Sequence, residues 1–343
     1  MCIRDRCEAN AQESSERHLL EALGHFPKAP ELQLKTLESV QLEAGSRYKI
    51  EYLAEEQDPR FDWPVDKIRA YLFVPNHKNG EKLPAVVAIH QDGPSTHLGK
   101  VEPAGLGGQP DQHYGLELFH RGYVVICPDR YYHAERRPIP SPDTTGSHPM
   151  QDLRLWLKRA GQLILSGRTH LGKEVYDLMR AVDVLQTYQF VDKNRIGAIG
   201  HSAGGNVLVY FMFVDKRVKV GVSSVGFFEL MDFFNLKDPS FSNSVFALPG
   251  LARVGRSTDY LAFLAPRPFF MTRGLHERET EEGSAQHVAE TKTVEAYAAQ
   301  RYAKVGAAEM LKVVYFEGGH AFPPEIREQA YEWLDRHLKG EQD

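Results

Sequence analysis

The chain has 343 residues, 42% of them hydrophobic and 25% charged, the balance of a globular protein with a sizeable core. Its formal charge of −5 leaves no basic surplus for nucleic acid, and no Lys/Arg run suits an anionic membrane surface. No stretch approaches the roughly 20 continuous apolar residues of a bilayer span, so the expected partner is a small molecule or a polymer end.

Met1 to Arg6 (MCIRDR) read as the translated end of a transposon adapter used in sequencing libraries and are set apart from the fold. A leader upstream would then be lost, which leaves cytoplasm and secretion both open; the oligomeric state is equally open. Cys2 falls in this segment, Cys7 lies next to it, and Cys127 sits alone in an apolar run. No disulfide framework is expected.

Residues 12–24 have helical spacing (Leu19, Leu20, Leu23) ending near Gly24. Alternating runs at Leu37–Leu42, Tyr48–Leu53 and Ile68–Val74 predict antiparallel strands. From Pro84 the pattern changes. Ala85–Ile89 (AVVAI) is continuously apolar, as a strand buried on both faces should be. Tyr123–Cys127, Arg195–Ile199, Val218–Val222, Phe269–Met271 and Lys312–Phe316 follow the same rule. Between them, 112–121, 172–189, 203–213, 285–303 and 324–338 have helical spacing, with Pro323 and Pro324 suited to a first turn. This alternation predicts an α/β fold: a doubly wound, mostly parallel sheet with antiparallel strands at its leading edge. With no repeat, low-complexity tract or linker, one domain is expected. Residues 7–64 supply a helix and edge strands, and 65–340 the catalytic unit.

Two long segments interrupt the alternation, 129–171, with a helix at Leu153–Leu165, and 226–266, rich in rings (Phe227, Phe228, Phe233, Phe234, Phe241, Phe246, Tyr260). Both leave the carboxyl ends of strands, where open α/β sheets bind ligands. They are expected to act as cap-like insertions.

Gly200-His201-Ser202-Ala203-Gly204 matches G-x-S-x-G, directly after a buried strand and directly before a helical segment. That context gives the pentapeptide its meaning: a strained turn lifts the serine hydroxyl above the sheet. A serine needs a base to take its proton, and in such a fold the partners follow in the order acid, then histidine. His320, after Gly318-Gly319 and just past the last strand, is the expected base. Glu277, after Gly274, is the expected acid; Glu279, Glu281, Glu282, Asp232 and Asp259 compete for the role. The backbone N–H groups of Ala203 and Gln91 are expected to receive an oxyanion. His90 reads as a residue holding the Gln91 loop. In the loop after the second buried strand, Arg130, Tyr131 and His133 are candidate substrate contacts.

The motifs AIHQDG, RGYVVICPDRYYHAERR, DLMRAVDVL, VDKNRIGAIGHSAGG, LAPRPFFM and EGGHAF, spread over residues 65–340, resemble the dienelactone hydrolase and acetyl xylan esterase-like branch of the α/β-hydrolase superfamily. The resemblance implies hydrolysis of small esters with no metal or organic cofactor. Dienelactone hydrolases proper use a cysteine where this chain has Ser202, which shifts the expectation to simple carboxylic or acetyl-sugar esters. The chain is also similar to the catalytic domain of prolyl-oligopeptidase-type enzymes, and is expected to be without their propeller. The alternatives are therefore a peptidase or amidase, or an idle α/β-hydrolase that only binds a ligand.

Overall fold

The computed structural model describes residues 3–61, 63–92, 98–137, 149–234, 246–278 and 280–340. Its elements in chain order are α1 (Ile3–Ala22), β1 (Lys35–Leu42), β2 (Gly45–Glu55), β3 (Asp66–Pro75), β4 (Leu83–Ile89), α2 (Tyr114–His120), β5 (Val124–Pro128), α3 (Pro149–Leu165), α4 (His170–Thr187), β6 (Val191–His201) and α5 (Ala203–Val214). Then come β7 (Val218–Ser224), α6 (Leu230–Phe234), α7 (Leu251–Val254), α8 (Ser257–Ala262), β8 (Phe269–Gly274), α9 (Glu281–Lys304), β9 (Leu311–Phe316) and α10 (Pro324–Leu338).

The described residues form a nine-stranded sheet in the order β1-β2-β3-β5-β4-β6-β7-β8-β9. The pairs β1–β2, β2–β3 and β3–β5 are antiparallel, and all pairs from β5 onward are parallel. This is the α/β-hydrolase arrangement. The apolar runs work as period-2 patterns read on both faces. Ala85, Val87 and Ile89 of β4 join one core with Leu178 of α4, Leu208 of α5 and Tyr260 of α8. Val86 and Ala88 join the opposite core with Leu118 of α2 and Leu334 of α10. A strand with core on both sides has no polar face, so its sequence does not alternate.

Two differences from the sequence reading have plain causes. The first helix begins at Ile3 rather than near residue 12, so its backbone runs through the segment read as an adapter. Nothing before Gly24 breaks it, since Gly and Pro are absent from that stretch. The short helices α6, α7 and α8 were not anticipated, because four to six residues are too few to show a 3.6-residue period.

Candidate active site

Ser202 stands between β6 and α5 with φ 52° and ψ −125°, a left-handed conformation that an L-residue adopts only under constraint. The constraint is packing by glycines. A Cβ on Gly200 would lie 2.5 Å from the Gly204 carbonyl group, and one on Gly204 would lie 2.3 Å from the Ile89 carbonyl oxygen. The turn is therefore pressed against both itself and β4. The Ser202 N–H donates to the Ser224 carbonyl at 2.9 Å, tying the turn to β7.

The turns after β8 and β9 are laced together. The Leu275 and His276 N–H groups donate to the carbonyls of Phe316 and Gly318 at 3.0 and 2.8 Å. A Cβ on Gly274 would strike the Gly319 carbonyl at 2.3 Å, so glycine is required where the turns cross. The crossing brings Glu277 beside His320. His320 Nδ1 lies 3.1 Å from Glu277 Oε2, and His320 Nε2 lies 2.7 Å from Ser202 Oγ. With Nδ1–H donating to the carboxylate, Nε2 keeps its lone pair for the serine proton.

Glu277 is almost fully buried, while the His320 side chain is 44% exposed. Burial alone would raise the Glu277 carboxyl, but His320, Arg273 and His287 hold it below the usual carboxylate range. Arg273, itself buried, donates to Glu277 at 3.1 and 3.2 Å, to Thr291 Oγ1 at 2.9 Å and to the Phe227 carbonyl at 2.6 Å. The Gly274 N–H adds a bond to Glu277 at 2.8 Å. Sequence reasoning missed Arg273. The signal was available: a charge within an otherwise apolar strand, four residues before the candidate acid.

Ala203 opens α5, where the first N–H groups have no partner inside the helix. Gly204 presses on the carbonyls of Ile89 and His90, so the first turn of α5 lies against the loop that carries Gln91. That loop is pinned from beneath. The Arg130 N–H donates to His90 Nε2 at 2.9 Å, and His90 Nδ1 lies 2.6 Å from the Gln91 carbonyl. His90 must then be the neutral Nδ1–H tautomer. Burial, with the charges of His133 and Arg130, lowers its pKa well below the ordinary histidine value. The Gln91 side chain is tied to Glu102, 3.2 Å from each carboxylate oxygen.

Residues 165–341 match the model of the prolyl oligopeptidase family. The chain belongs to that family. It is 27% identical to YtaP of Bacillus subtilis (strain 168), assigned as a hydrolase, over 94% of this chain and 98% of the relative. Among solved structures it is similar to a Bacteroides fragilis NCTC 9343 protein assigned as an acetyl xylan esterase (TM-score 0.67, 18% identity, 89% of this chain and 74% of that one). It is likewise similar to a glucuronoyl esterase from Solibacter usitatus (TM-score 0.61, 14% identity, 95% and 91%). At these identities the likeness is one of fold.

In this prolyl oligopeptidase family member the competing acids are occupied elsewhere or lie apart. Asp259 caps α8, accepting from the Arg256 N–H at 2.7 Å, and Asp232 sits 3.5 Å from the Arg256 guanidinium. Glu281 and Glu282 are exposed in the first turn of α9; Glu279 lies outside the described residues. The substrate contacts expected of Arg130 and His133 need correction. Both side chains are buried; Arg130 pairs with Asp92 at 2.7 Å and Glu174 at 2.8 Å, and His133 lies 3.1 Å from Asp92. A buried guanidinium held by two carboxylates serves the wall of the site. Tyr131 is half-buried and lines a separate cavity with Arg136 and Lys173.

The long segments are also revised in part. Phe227, Phe246 and Tyr260 are buried in the core. Phe228 packs on it, and Phe234 is exposed. Phe241 and the Phe233 side chain lie outside the described residues, as do 138–148 and 235–245. Glu55, Asp66 and Asp177 bring carboxylate oxygens within 4.8 Å of one another. The Lys173 ammonium group bonds all three, supplying the positive charge such a trio requires.

Proposed function

We propose that this chain is a serine esterase, cleaving small carboxylic esters, acetylated sugars foremost, through an acyl-enzyme. The observation that carries the reading is the unbroken run of hydrogen bonds from Ser202 through His320 to Glu277 on a strained turn. Ser202 Oγ attacks the ester carbonyl as its proton passes to His320 Nε2, and the carbonyl oxygen becomes an oxyanion near the N–H groups of Gln91 and Ala203. As the C–O bond breaks, His320 returns the proton to the leaving alcohol. Water then enters, gives a proton to His320, and releases the acid and free Ser202. Glu277 holds the imidazole and balances its transient charge.

The sugar-ester preference draws on the neighbours named as acetyl xylan and glucuronoyl esterases, and the mechanism needs no cofactor. The family match favours a second reading, a peptidase or amidase for short substrates. Parallel rates on p-nitrophenyl acetate and an aminoacyl anilide divide the two, and a faster anilide would overturn the esterase reading. A fluorophosphonate probe should label Ser202 in either case; failure to label a folded protein would leave only ligand binding.

A further inference from the structure

A cavity of about 520 Å³ whose lining does not include Ser202 is walled by the end of β2, the start of β3, the loop after β5, and α3 and α4. Its place in the sheet is definite. Glu55 of β2 pairs with Asp66 of β3, and Ala70 of β3 with Pro128 at the carboxyl end of β5. Because β2 runs antiparallel to β3, and β3 to β5, these walls stand at the sheet edge that also carries Ser202. β5 is two strands from β6 and β3 is three, a lateral separation of roughly 10–15 Å.

The walls identify a ligand class. The volume lies within the range of small-molecule sites, and Trp63, Pro64, Val65 and Leu163 share its lining with eleven charged side chains. Its acids and bases alternate: Asp66 is bonded by Arg136 and Lys173 at 2.7 and 2.6 Å, and Glu51 by Arg69 at 2.9 Å. Five acids face six bases, so neither sign dominates, and an anion and a cation are both poorly matched. A neutral polyol is well matched, because each hydroxyl donates to carboxylates and accepts from guanidinium groups. The buried Arg136 Nε has no hydrogen-bond partner among the described residues. Trp63, with the Arg159 guanidinium 4.9 Å from its ring centroid, adds an aromatic wall.

We propose that this cavity binds a neutral oligosaccharide, holding the sugar chain of a substrate whose ester group lies at Ser202. This rests on the sugar-ester reading above. The test is calorimetric titration of the full chain with unacetylated xylohexaose, cellohexaose and mannohexaose, followed by Arg159→Ala combined with Glu56→Ala. Both residues line the cavity, Arg159 half-buried and Glu56 exposed, so folding should survive. At least one sugar should bind the unaltered protein, and the double variant should bind it tenfold or more weakly. On the acetylated oligosaccharide its KM should rise with kcat unchanged. No binding of any sugar, or equal binding by the variant, would overturn the proposal. The titration requires no catalysis, so a protein that binds sugar but leaves p-nitrophenyl acetate intact would overturn the esterase reading alone.

Discussion

The serine, histidine and glutamate interact within hydrogen-bonding distance, and each supplies what the next one needs. Ser202→Ala should lower ester turnover by about 10⁶ while circular dichroism and melting stay unchanged; near-normal turnover in the folded variant would refute the nucleophile. Glu277→Gln keeps the shape but loses the charge and favours the wrong imidazole tautomer. Turnover should fall by roughly 10³–10⁴ with little change in KM, whereas Glu281→Gln and Glu282→Gln, on the exposed first turn of α9, should alter kcat less than about tenfold. Larger losses at Asp259→Asn or Asp232→Asn than at Glu277→Gln would move the acid elsewhere. Arg273 acts through Glu277. Both side chains are nearly inaccessible, and Arg273→Met would leave a carboxylate buried without its guanidinium. That should cost about 3–5 kcal/mol of stability, read by urea unfolding.

At the scale of elements, the junction of β6 and α5 depends on backbone contacts that leave no room for a side chain. Gly204→Ala would place a methyl group 2.3 Å from a β4 carbonyl oxygen, where the obstacle is main chain and cannot rotate away. The first turn of α5 must then shift from β4, carrying Ala203 away from the Gln91 loop. The variant should lose at least the 1–3 kcal/mol typical of overpacking and most of its turnover; wild-type melting and activity would contradict the account. The segment after β7 bears on specificity. Phe227, Phe246 and Tyr260 are spent on the core, so these rings add no apolar pocket for a long acyl chain. Acetate should therefore exceed octanoate in kcat/KM on p-nitrophenyl esters, and the reverse order would refute this.

For the whole molecule, buried imidazoles link stability to pH. His287 is pushed down to about 3 by burial and by Arg273 and Arg278, while an unfolded histidine titrates near 6.5. Below about pH 6.5 the unfolded chain binds a proton there that the folded one refuses, so stability falls as pH drops. It does so by ~1.4 kcal/mol per pH unit until the folded value is reached. Burial likewise drives His90, His170 and His201 well below the ordinary value. His287→Gln removes one such term. Between about pH 7.5 and about pH 5 the variant should lose about 2 kcal/mol less than wild type in urea unfolding. An identical loss in both would show that His287 titrates normally in the fold.

The sheet and its helices were legible because burial on both faces leaves a one-dimensional trace: five apolar residues at 85–89, helical spacing at 172–189, glycines around Ser202. The candidate serine, base and acid were legible for a related reason, since each follows the carboxyl end of a strand and strand order fixes their neighbourhood. What no pattern carried was the pairing of charges distant in sequence. Arg130 was read as a substrate contact because an arginine in a loop looks the same whether it faces solvent or Glu174, forty-four positions on. Arg273 could be paired with Glu277 from their four-residue spacing, but its bonds to Thr291 and the Phe227 carbonyl, from α9 and the segment after β7, left no trace in the sequence. Sequence by itself determined the sheet strands and the longer helices, their order along the chain and the chemistry of the elbow, all set by local conformation and hydrophobic period. Which charges lie buried against each other, and which walls enclose the second cavity, was decided only when the sheet closed, because Coulomb energy and desolvation depend on distances in space that the chain order does not contain.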